Sequence, residues 1–311
     1  MATTLDTPDP IIEARGLTKR YQGDQAVVKG IDFTVRAGQC FGFLGPNGAG
    51  KTTTLRMILG QSFPSSGELR VFGLPMPGSA RRVRARVGVV PQSDNLDPDF
   101  TVIENLRVYG GYFDLPRAAL EGRIEQLLEF AELADRAGAT IHTLSGGMKR
   151  RLTIARALIN DPEMVILDEP TTGLDPQARH MIWRRLRELI RAGKTLLLTT
   201  HYMEEAERLC DEVVIMDRGT VLERGAPAGL VRRHVEPEVL ELHGPETALR
   251  ALLGDAQGCR IETVGDALQC YTRDARPLME RLEAMPDLSF LHRPANLEDV
   301  FLKLTGRELR D

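Results

Sequence analysis

The stretch CFGFLGPNGAGKTTTL, residues 40–55, predicts a strand, a glycine-rich loop and a helix in immediate succession. The apolar run Cys40–Leu44 is typical of a buried strand, and Leu55–Leu59 continues with apolar residues at helical spacing. The loop between them matches the pattern G-x-x-x-x-G-K-[ST], in which glycines let backbone N–H groups turn inward around an anion. The dipole of a helix beginning near Lys51 adds positive charge at the same point. The stretch therefore predicts a phosphate-binding loop.

The end of this loop carries two side chains suited to nucleotide chemistry. Lys51 can reach the β- and γ-phosphates of a nucleotide, and the hydroxyl of Thr52 can ligate Mg²⁺. The alternative is an ordinary glycine-rich turn before a helix, but a chance match in a chain of 311 residues is on the order of one per cent by average composition. We therefore expect the nucleotide-binding loop to comprise Gly45, Pro46, Asn47, Gly48, Ala49, Gly50, Lys51, Thr52 and Thr53.

A pair of acidic residues follows a second candidate for a buried strand. The apolar run Met164–Leu167 ends in Asp168 and Glu169. A carboxylate at the carboxyl end of a parallel strand points into the crevice in which ligands bind. Asp168 is therefore a candidate ligand of Mg²⁺, and Glu169 is a candidate general base for an attacking water. Without the glycine-rich loop, a solvated strand end would be the simpler interpretation.

The segment that follows these acids predicts a parallel sheet. Asp175 and Pro176 favour an N-cap and the first position of a helix, and Gly193 suits the C′ position at its end. This helix lies between the strand candidates Met164–Leu167 and Thr195–Thr200. Strand, helix and strand in this order are typical of an α/β fold.

The sequence LSGGM, residues 144–148, indicates a further helix start. Ser145 suits an N-cap, and Gly146 and Gly147 expose backbone N–H groups at the helix N-terminus, where an anion can bind. An ordinary capped helix is the alternative interpretation. The basic residues that follow are expected on the solvated face of this helix, and they are Lys149, Arg150 and Arg151.

Composition excludes several classes of protein. Hydrophobic residues make up 42% and charged residues 27% of the chain, which is ordinary for a globular protein and unlike a disordered or collagen-like one. The balance of 40 Lys and Arg against 44 Asp and Glu gives a net charge of −4, so we do not expect nucleic acid as a partner. No apolar run reaches the length of about 20 residues that a membrane span needs. The N-terminus lacks the pattern of a secretory signal.

A change in composition near residue 226 divides the chain into two expected domains. Residues 1–10 are polar and expected to be disordered, 11–225 form the first domain, and 226–236 form a linker. The remaining residues, 237–311, have the pattern β-α-β-β-α-β, which predicts a small α+β domain of the ferredoxin-like type. Its first helix is expected over Glu246–Leu253.

Taken in order, the motifs GPNGAGKTT, LSGGM, VILDEP and GLDP, with Gln92 and His201, resemble the nucleotide-binding subunits of ATP-binding-cassette (ABC) transporters. The resemblance covers about residues 11–225. It implies an α/β P-loop NTPase cassette with an antiparallel β subdomain and a helical insert over about 93–160. It also implies an enzyme that hydrolyses ATP to ADP and phosphate.

The resemblance assigns roles to five further side chains. Tyr21 matches the aromatic residue that stacks on adenine, with an ordinary strand-face tyrosine as the alternative. Gln92 matches the glutamine that senses Mg²⁺ and contacts the membrane partner. Glu169 matches the catalytic base, and Asp175 the loop that signals between two subunits. His201 matches the residue that contacts the γ-phosphate.

The resemblance also implies partners and location. Two subunits form a homodimer head to tail, so that Ser145–Gly147 of one closes over the ATP and Mg²⁺ held by the other. The dimer is expected on a separately encoded integral membrane permease, peripheral to the cytoplasmic face of the inner membrane. The exported substrate is not contacted directly by this chain. Met148 stands where many cassettes have glutamine, and we expect no loss of activity from it.

Two stretches narrow the resemblance. VGVVPQSDNLDPDFTVIENL, residues 87–106, and HRPANLEDVFLKLTGRELRD, residues 292–311, resemble the nodulation-factor export ATPases, a group beside the daunorubicin-type multidrug export ATPases. This implies export of a lipo-oligosaccharide or similar amphiphile. The alternatives are a multidrug or antibiotic export ATPase and a soluble ABC ATPase not coupled to transport. Soluble members typically carry two cassettes, a coiled-coil insertion or zinc-binding cysteines, none of which this sequence shows.

Overall fold

The computed structural model describes residues 10–21, 25–245, 249, 259–264, 267–285 and 287–306. The chain divides into two compact units, Met1–Arg224 and Gly225–Asp311. The expected disordered segment 1–10 lies outside the described residues except for Pro10, which is the first residue of a strand. Within the part of the chain described, every helix falls short of the length and apolar character that a bilayer span requires.

The first unit contains both strands and helices. Its strands are β1 (Pro10–Arg20), β2 (Ala26–Arg36), β3 (Cys40–Leu44), β4 (Ser66–Val71), β5 (Leu74–Pro75), β6 (Val87–Val90), β7 (Met164–Asp168), β8 (Thr195–Thr200), β9 (Glu212–Asp217) and β10 (Thr220–Gly225). Its helices are α1 (Lys51–Ile58), α2 (Ala80–Arg84), α3 (Val102–Gly110), α4 (Arg117–Phe130), α5 (Gly146–Ala157), α6 (Pro176–Arg191) and α7 (Met203–Leu209). Short 3₁₀ turns cover Gly111–Phe113, Ala134–Arg136 and Ile141–Thr143.

The central sheet has the order β10-β9-β3-β8-β7-β6. Strand β3 pairs in parallel with β8 and β9, and β7 pairs in parallel with β8 and β6. The predicted parallel arrangement of the strands on either side of α6 is therefore confirmed. Every residue of β3 and β8 is buried, as expected for strands covered on both faces. Because these strands are parallel, the carboxyl ends of β3, β7 and β8 lie at the same side of the sheet.

A second sheet, of order β2-β1-β4-β5, is antiparallel and belongs to the same unit. Its inner face shares one apolar core with the central sheet. Phe33 of β2 packs edge-on against Phe43 of β3, with ring centroids 5.1 Å apart. The antiparallel subdomain implied by the resemblance is thus present, and its core holds β3 and the loop that follows it.

The helices of the first unit begin where their capping residues allow. Ser145 Oγ accepts the N–H of Met148 at 3.3 Å at the start of α5, and Asp175 Oδ1 accepts the N–H of Ala178 at 2.9 Å at the start of α6. Both predicted N-caps are therefore confirmed. Gly193, beyond the end of α6, has φ +80°, which suits its predicted C′ position.

The second unit is a small α+β domain. Its strands and helices are α8 (Pro227–His234), β11 (Glu238–His243), β12 (Arg260–Val264), β13 (Ala267–Thr272), α9 (Arg276–Glu283), β14 (Ser289–Pro294) and α10 (Leu297–Thr305). The described strands form an antiparallel sheet of order β12-β13-β11-β14. This is the α+β class predicted for this part of the chain. The helix expected over Glu246–Leu253 lies, apart from Leu249, outside the described residues.

The segment expected to be a linker is folded for most of its length. Pro227 opens α8, because its fixed φ suits the first helical turn, and the helix runs to His234. Leu230, in the middle of this helix, is fully buried, and α8 packs on α10. Residues 227–234 are therefore part of the second unit.

Candidate active site

The loop between β3 and α1 has a backbone that only glycine accommodates at two positions. Gly45 has φ +154°, and a Cβ there would lie 2.1 Å from the carbonyl oxygen of Met216. Gly50 has φ +103°, and its Cβ would lie 2.9 Å from the carbonyl oxygen of Val27. Both values are rare for residues with a side chain. The loop is thus held in a fixed curve by the strand ends around it.

Lys51 points back into this curve. Its Nζ donates to the carbonyl oxygens of Gly45 at 2.6 Å and Pro46 at 3.2 Å, and lies 3.6 Å from Glu169 Oε1. Burial lowers the pKa of Lys51, and the charge of Glu169 opposes this shift. The side chain is only 4% exposed. A buried ammonium group at the opening of α1 is well placed for an anion.

Thr52 and Asp168 meet across the ends of α1 and β7. The hydroxyl of Thr52 donates to Asp168 Oδ1 at 3.2 Å. The same oxygen accepts the hydroxyl of Thr199 at 2.5 Å. Thr199 was not singled out from the sequence, although its place near the end of β8, two residues before His201, is a usable signal. Two hydroxyls and a carboxylate therefore converge within hydrogen-bonding distance.

Glu169 lies at the centre of the site. Its backbone has φ +47°, which is uncommon for a residue with a side chain, and its N–H donates to the carbonyl and hydroxyl oxygens of Thr199 at 3.1 Å each. Carboxylate oxygen Oε2 accepts the amide of Gln92 at 3.0 Å and the hydroxyl of Thr172 at 3.2 Å. The strained turn aims the carboxylate at the loop after β6 and at Lys51.

His201 completes this group. Its Nδ1 lies 3.4 Å from Glu169 Oε1. The hydrogen bond from His201 and the nearby charge of Lys51 outweigh the effect of burial and lower the pKa of Glu169 to about 2. The Glu169 carboxyl is therefore ionised at neutral pH. The structure thus brings Lys51, Thr52, Gln92, Asp168, Glu169 and His201 together.

Tyr21 directly follows β1, and it lies beside helix α1. The residue is 47% exposed, and the Nζ of Lys19 lies 4.8 Å from the centroid of its ring. Burial raises the pKa of Tyr21, but hydrogen bonds with Ser62 and Thr53 lower it, and the net shift is downward. Contact with Thr53 places the exposed ring next to the second residue after Lys51.

Ser145, Gly147 and Asp175 form a second group. They line a cavity of about 140 Å³ between the starts of α5 and α6. A Cβ on Gly147 would lie 3.0 Å from the Cβ of Ala178, so a side chain there would crowd α6. Ser145 and Gly146 are exposed. The side chains of Ser145 and Asp175 bond to the first turns of α5 and α6 respectively.

The basic residues of α5 differ from expectation. Arg150 is buried, and its guanidinium donates to backbone carbonyls of the loops after β6 and β7. Arg151 is 12% exposed and donates to the carbonyl of Ala131 at 2.7 Å. The prediction of a solvated face was therefore wrong for both. The physical reason is that segments distant in sequence present backbone carbonyls to these two side chains.

Comparison with known proteins identifies the class. Residues 28–172 match the family model for the ABC transporter, and residues 247–306 match that for the nodulation factor export protein NodI, C-terminal domain. A Nod factor export ATP-binding protein I from Ralstonia nicotianae is 58% identical over 309 residues, which cover 97% of this chain and 96% of the relative. The chain belongs to the Nod factor export ATP-binding protein I family. A relative from Paraburkholderia xenovorans is 56% identical over 305 residues, 98% of this chain and 100% of the relative.

Solved structures support the assignment of the chain to the ABC cassettes. The cbiO1 subunit of Clostridium perfringens, part of the ABC transporter complex cbiONQ, is 29% identical with a TM-score of 0.68, over 72% of this chain and 91% of that one. The cassette MJ0796, in a dimeric post-hydrolysis state bound to ADP and Pi, is 26% identical with a TM-score of 0.63, over 69% and 98%. The predicted fold class is confirmed, and the chain is an ATP-binding subunit of an ABC exporter.

Proposed function

We propose that this chain hydrolyses ATP with Mg²⁺ and thereby drives a separate membrane permease to export a lipo-oligosaccharide of the Nod-factor type or a similar amphiphile. The observation that carries the hydrolytic part is the convergence of Lys51, Gln92 and His201 on the buried, ionised carboxylate of Glu169. A carboxylate held in this way can accept a proton from a water that attacks the γ-phosphate.

The residues at the ends of α1 and β7 fit Mg²⁺. Mg²⁺ prefers oxygen ligands and is usually held by one or two carboxylates together with substrate phosphates. The hydroxyl of Thr52 and the carboxylate of Asp168 are in contact, and the amide of Gln92 faces the adjacent Glu169. When bound, Mg²⁺ would neutralise charge on the β- and γ-phosphates. Thr52 and Asp168 would hold it, with Gln92 beside them.

The remaining parts of the nucleotide have matching groups. The backbone N–H groups of Asn47, Gly48 and Gly50 and the dipole of α1 suit the phosphates. The exposed ring of Tyr21, beside Thr53, suits stacking on adenine. Lys51 and His201 would contact the γ-phosphate. In this arrangement the chain's own groups bind and orient the phosphates, and they keep the carboxylate of Glu169 ionised.

A single chain supplies half of the proposed catalytic unit. Ser145 and Gly146, at the N-terminus of the twelve-residue helix α5, are exposed to solvent. A helix N-terminus attracts anions, and Asp175 lines the cavity beside it. We propose that this surface closes over the nucleotide bound by a second copy, in a head-to-tail homodimer. The dimeric structure of the cassette MJ0796, bound to ADP and Pi, supports a dimer of this chain.

A groove next to Gln92 suits the permease. It has a volume of about 720 Å³ and includes Pro91, Tyr109, Phe113 and Tyr112, the last of which is 75% exposed. Exposed aromatic residues in a concave surface are typical of protein interfaces. A permease segment in this groove would lie beside the loop that carries Gln92. Docking there would place the chain peripherally at the cytoplasmic face of the inner membrane.

The class of exported substrate follows from the relatives rather than from a site in this chain. Relatives 54–58% identical are named Nod factor export ATP-binding proteins. Export of drugs or antibiotics is the alternative within transport, and both alternatives leave recognition of the substrate to the permease. We propose no contact between this chain and the exported molecule, and no nucleic-acid partner.

The proposal is tested by capturing partners from membranes solubilised in detergent. Tagged Glu169→Gln protein, which should bind ATP without turnover, is incubated with ATP, and the proteins retained are identified by mass spectrometry. The matched control carries Lys51→Ala in addition and should not form the ATP-bound dimer. ATP-dependent recovery of a multi-span membrane protein supports the exporter. Recovery of ribosomal or DNA-repair proteins alone would assign the chain to a soluble ABC ATPase.

A further inference from the structure

The side chain of Arg150 joins two loops of the candidate active site through backbone contacts. The residue lies in the second turn of α5 and is 5% exposed at its side chain. Its Nε donates to the carbonyl of Pro170 at 2.6 Å, and Nη2 donates to the carbonyls of Asp168 at 3.2 Å and Glu169 at 3.0 Å. One side of the guanidinium therefore holds the backbone of the turn that carries the candidate base.

The other side of the same guanidinium holds the loop after β6. Nη1 donates to the carbonyls of Pro91 at 2.5 Å and Gln92 at 3.4 Å, and lies 3.7 Å from the carboxylate of Asp94. One guanidinium thus contacts the backbone on either side of the hydrogen bond between Gln92 Nε2 and Glu169 Oε2, which is 3.0 Å long.

Two further residues of α5 extend this grip along the loop. Thr153 Oγ1 lies 3.3 Å from Asp94 Oδ1, and Arg156 donates to the carbonyl of Asn95 at 2.7 Å. Because these side chains recur at intervals of three residues, they lie on one face of the helix with Arg150. The whole segment 91–95 is therefore fixed to α5, the helix that begins with Ser145 and Gly146.

The chemistry of arginine suits this geometry. A guanidinium is planar and offers five N–H donors in fixed directions, so a single group can set the distance between two backbone segments. A lysine ammonium is a point charge with three rotatable donors and cannot span the same carbonyls. A buried charge without its partners would be costly, which favours one arrangement of the two loops.

We propose that Arg150 is a positioning residue for ATP hydrolysis, which holds Gln92 and Glu169 in register with each other and with α5. This inference rests on the proposed role of Glu169. Arg150 does not contact the phosphate-binding loop in any of these interactions. Its loss should therefore affect turnover rather than binding of ATP.

The experiment compares Arg150→Gln and Arg150→Lys with Arg151→Gln. Arg151 is the neighbouring arginine of the same helix, but it bonds Ala131 and Glu132. For both Arg150 variants we expect a fall in kcat of about 10- to 100-fold, since a misplacement of about 1 Å can cost this much. The affinity for ATP, measured by titration, should stay within about threefold of the starting protein. Arg151→Gln should leave kcat within about threefold.

A double-mutant cycle with Gln92→Ala separates positioning from a general loss of structure. If Arg150 acts through the contact between Gln92 and Glu169, the double variant loses little more kcat than either single variant. The inference is overturned if the effects of the two single substitutions on kcat multiply in the double variant. It is also overturned if the Arg150 variants change only the affinity for ATP, or if their kcat is unchanged. Should Arg150→Gln fail to fold, the cycle is run with Arg150→Lys, which keeps the charge and the buried stem.

Glu169→Gln, measured in the same assay, separates a failure of the proposed role of Glu169 from a failure of the proposed role of Arg150. If Glu169→Gln retains full turnover, the proposed role of Glu169 fails and the inference fails with it. If Glu169→Gln abolishes turnover while both Arg150 variants turn over normally, the inference alone fails.

Discussion

The Nζ of Lys51 and Oε1 of Glu169 lie 3.6 Å apart, with side chains that are 4% and 6% exposed. A buried charge is stable only when it is paired or hydrogen-bonded. Here the lysine of the phosphate-binding loop and the candidate base each stabilise the charged form of the other. Both groups are proposed to act at the γ-phosphate. Lys51 would bind it, and Glu169 would accept a proton from the water that attacks it. Two predictions depend on this pair.

Lys51→Ala should weaken the binding of ATP. Loss of a charge-assisted hydrogen bond of about 1.5–3 kcal/mol corresponds to a fall in affinity of roughly 10- to 100-fold. Isothermal titration with ATP measures it directly. Lys29→Ala, which removes an exposed lysine of β2, is the control and should bind as the starting protein does. Unchanged affinity in Lys51→Ala would contradict the assignment of the loop.

The stability of the chain should depend on pH partly through Glu169. The pKa of this carboxyl is lowered from 4.5 to about 2 in the folded chain. The carboxylate therefore stabilises the folded state above about pH 4.5, and this contribution is lost as the pH falls toward 2. At about 1.4 kcal/mol per pH unit, it amounts to something on the order of 3 kcal/mol at neutral pH.

Glu169→Gln cannot show this dependence, which makes it the variant to compare. Urea unfolding of both proteins is followed from pH 7 down to the lowest pH at which both still fold. The free energy of unfolding should fall less steeply below pH 4.5 in Glu169→Gln. Parallel curves would mean that the folded-state pKa is not lowered.

Gly45→Ala should destabilise the first unit far more than Gly48→Ala. Both glycines have positive φ, +154° and +81°, so both substitutions strain the backbone by about 1–2 kcal/mol. Only at Gly45 does the new Cβ meet a backbone atom, the carbonyl oxygen of Met216, at 2.1 Å. Around Gly48 there is open space within 4 Å. Thermal unfolding of the two variants measures the difference, and equal melting temperatures would contradict it.

Glu205 offers a further test of buried polar groups near the site. Its Oε1 accepts the hydroxyl of Thr171 at 2.8 Å and the indole N–H of Trp183 at 2.9 Å. Burial raises the pKa of Glu205, so its charge disfavours the folded state as the pH rises above 4.5. Glu205→Gln should therefore be at least as stable as the starting protein at pH 8. Glu205→Leu leaves both donors unpaired and should lose about 1–3 kcal/mol, measured by urea unfolding.

The parts of the site that the sequence predicts are those fixed by local geometry. The loop 45–52 needs glycines at set positions, and Ser145 and Asp175 cap helices that start at the next residue. Each of these constraints acts within a few residues, so a spacing pattern reveals it. The parallel order of the strands follows from the same kind of local pattern, through the rule for strand, helix and strand.

The contacts that the sequence did not predict join residues far apart along the chain. Arg150 looks like a surface residue of an amphipathic helix, but its carbonyl partners are 18–20 residues away on one side and 58–59 on the other. A backbone carbonyl has no signature in the sequence, so such a partner cannot be read from residue types. The hydroxyl of Thr199 is similar, because its partner Asp168 lies on a neighbouring strand 31 residues earlier.

Truncation within the segment 226–236 should distinguish the two units, and the place of the cut should matter. A fragment that ends after Ala226 keeps β10 and removes α8 with the rest of the second unit. A fragment that ends after Val235 keeps α8 but removes α10, which packs on it. Leu230, fully buried in the whole chain, would then be exposed. We expect the shorter fragment to be soluble with cooperative unfolding, and the longer one to aggregate more readily.

Both fragments are expressed alike and compared by circular dichroism and size-exclusion chromatography. Because the first unit has its own core of β-sheet and helices, the shorter fragment should also keep the ATP affinity of the full chain. If it is insoluble while the longer fragment folds, α8 is required by the first unit, and the boundary lies beyond residue 234. An independent domain tolerates a cut at its boundary. If neither fragment folds, the first unit therefore needs the second unit for its stability.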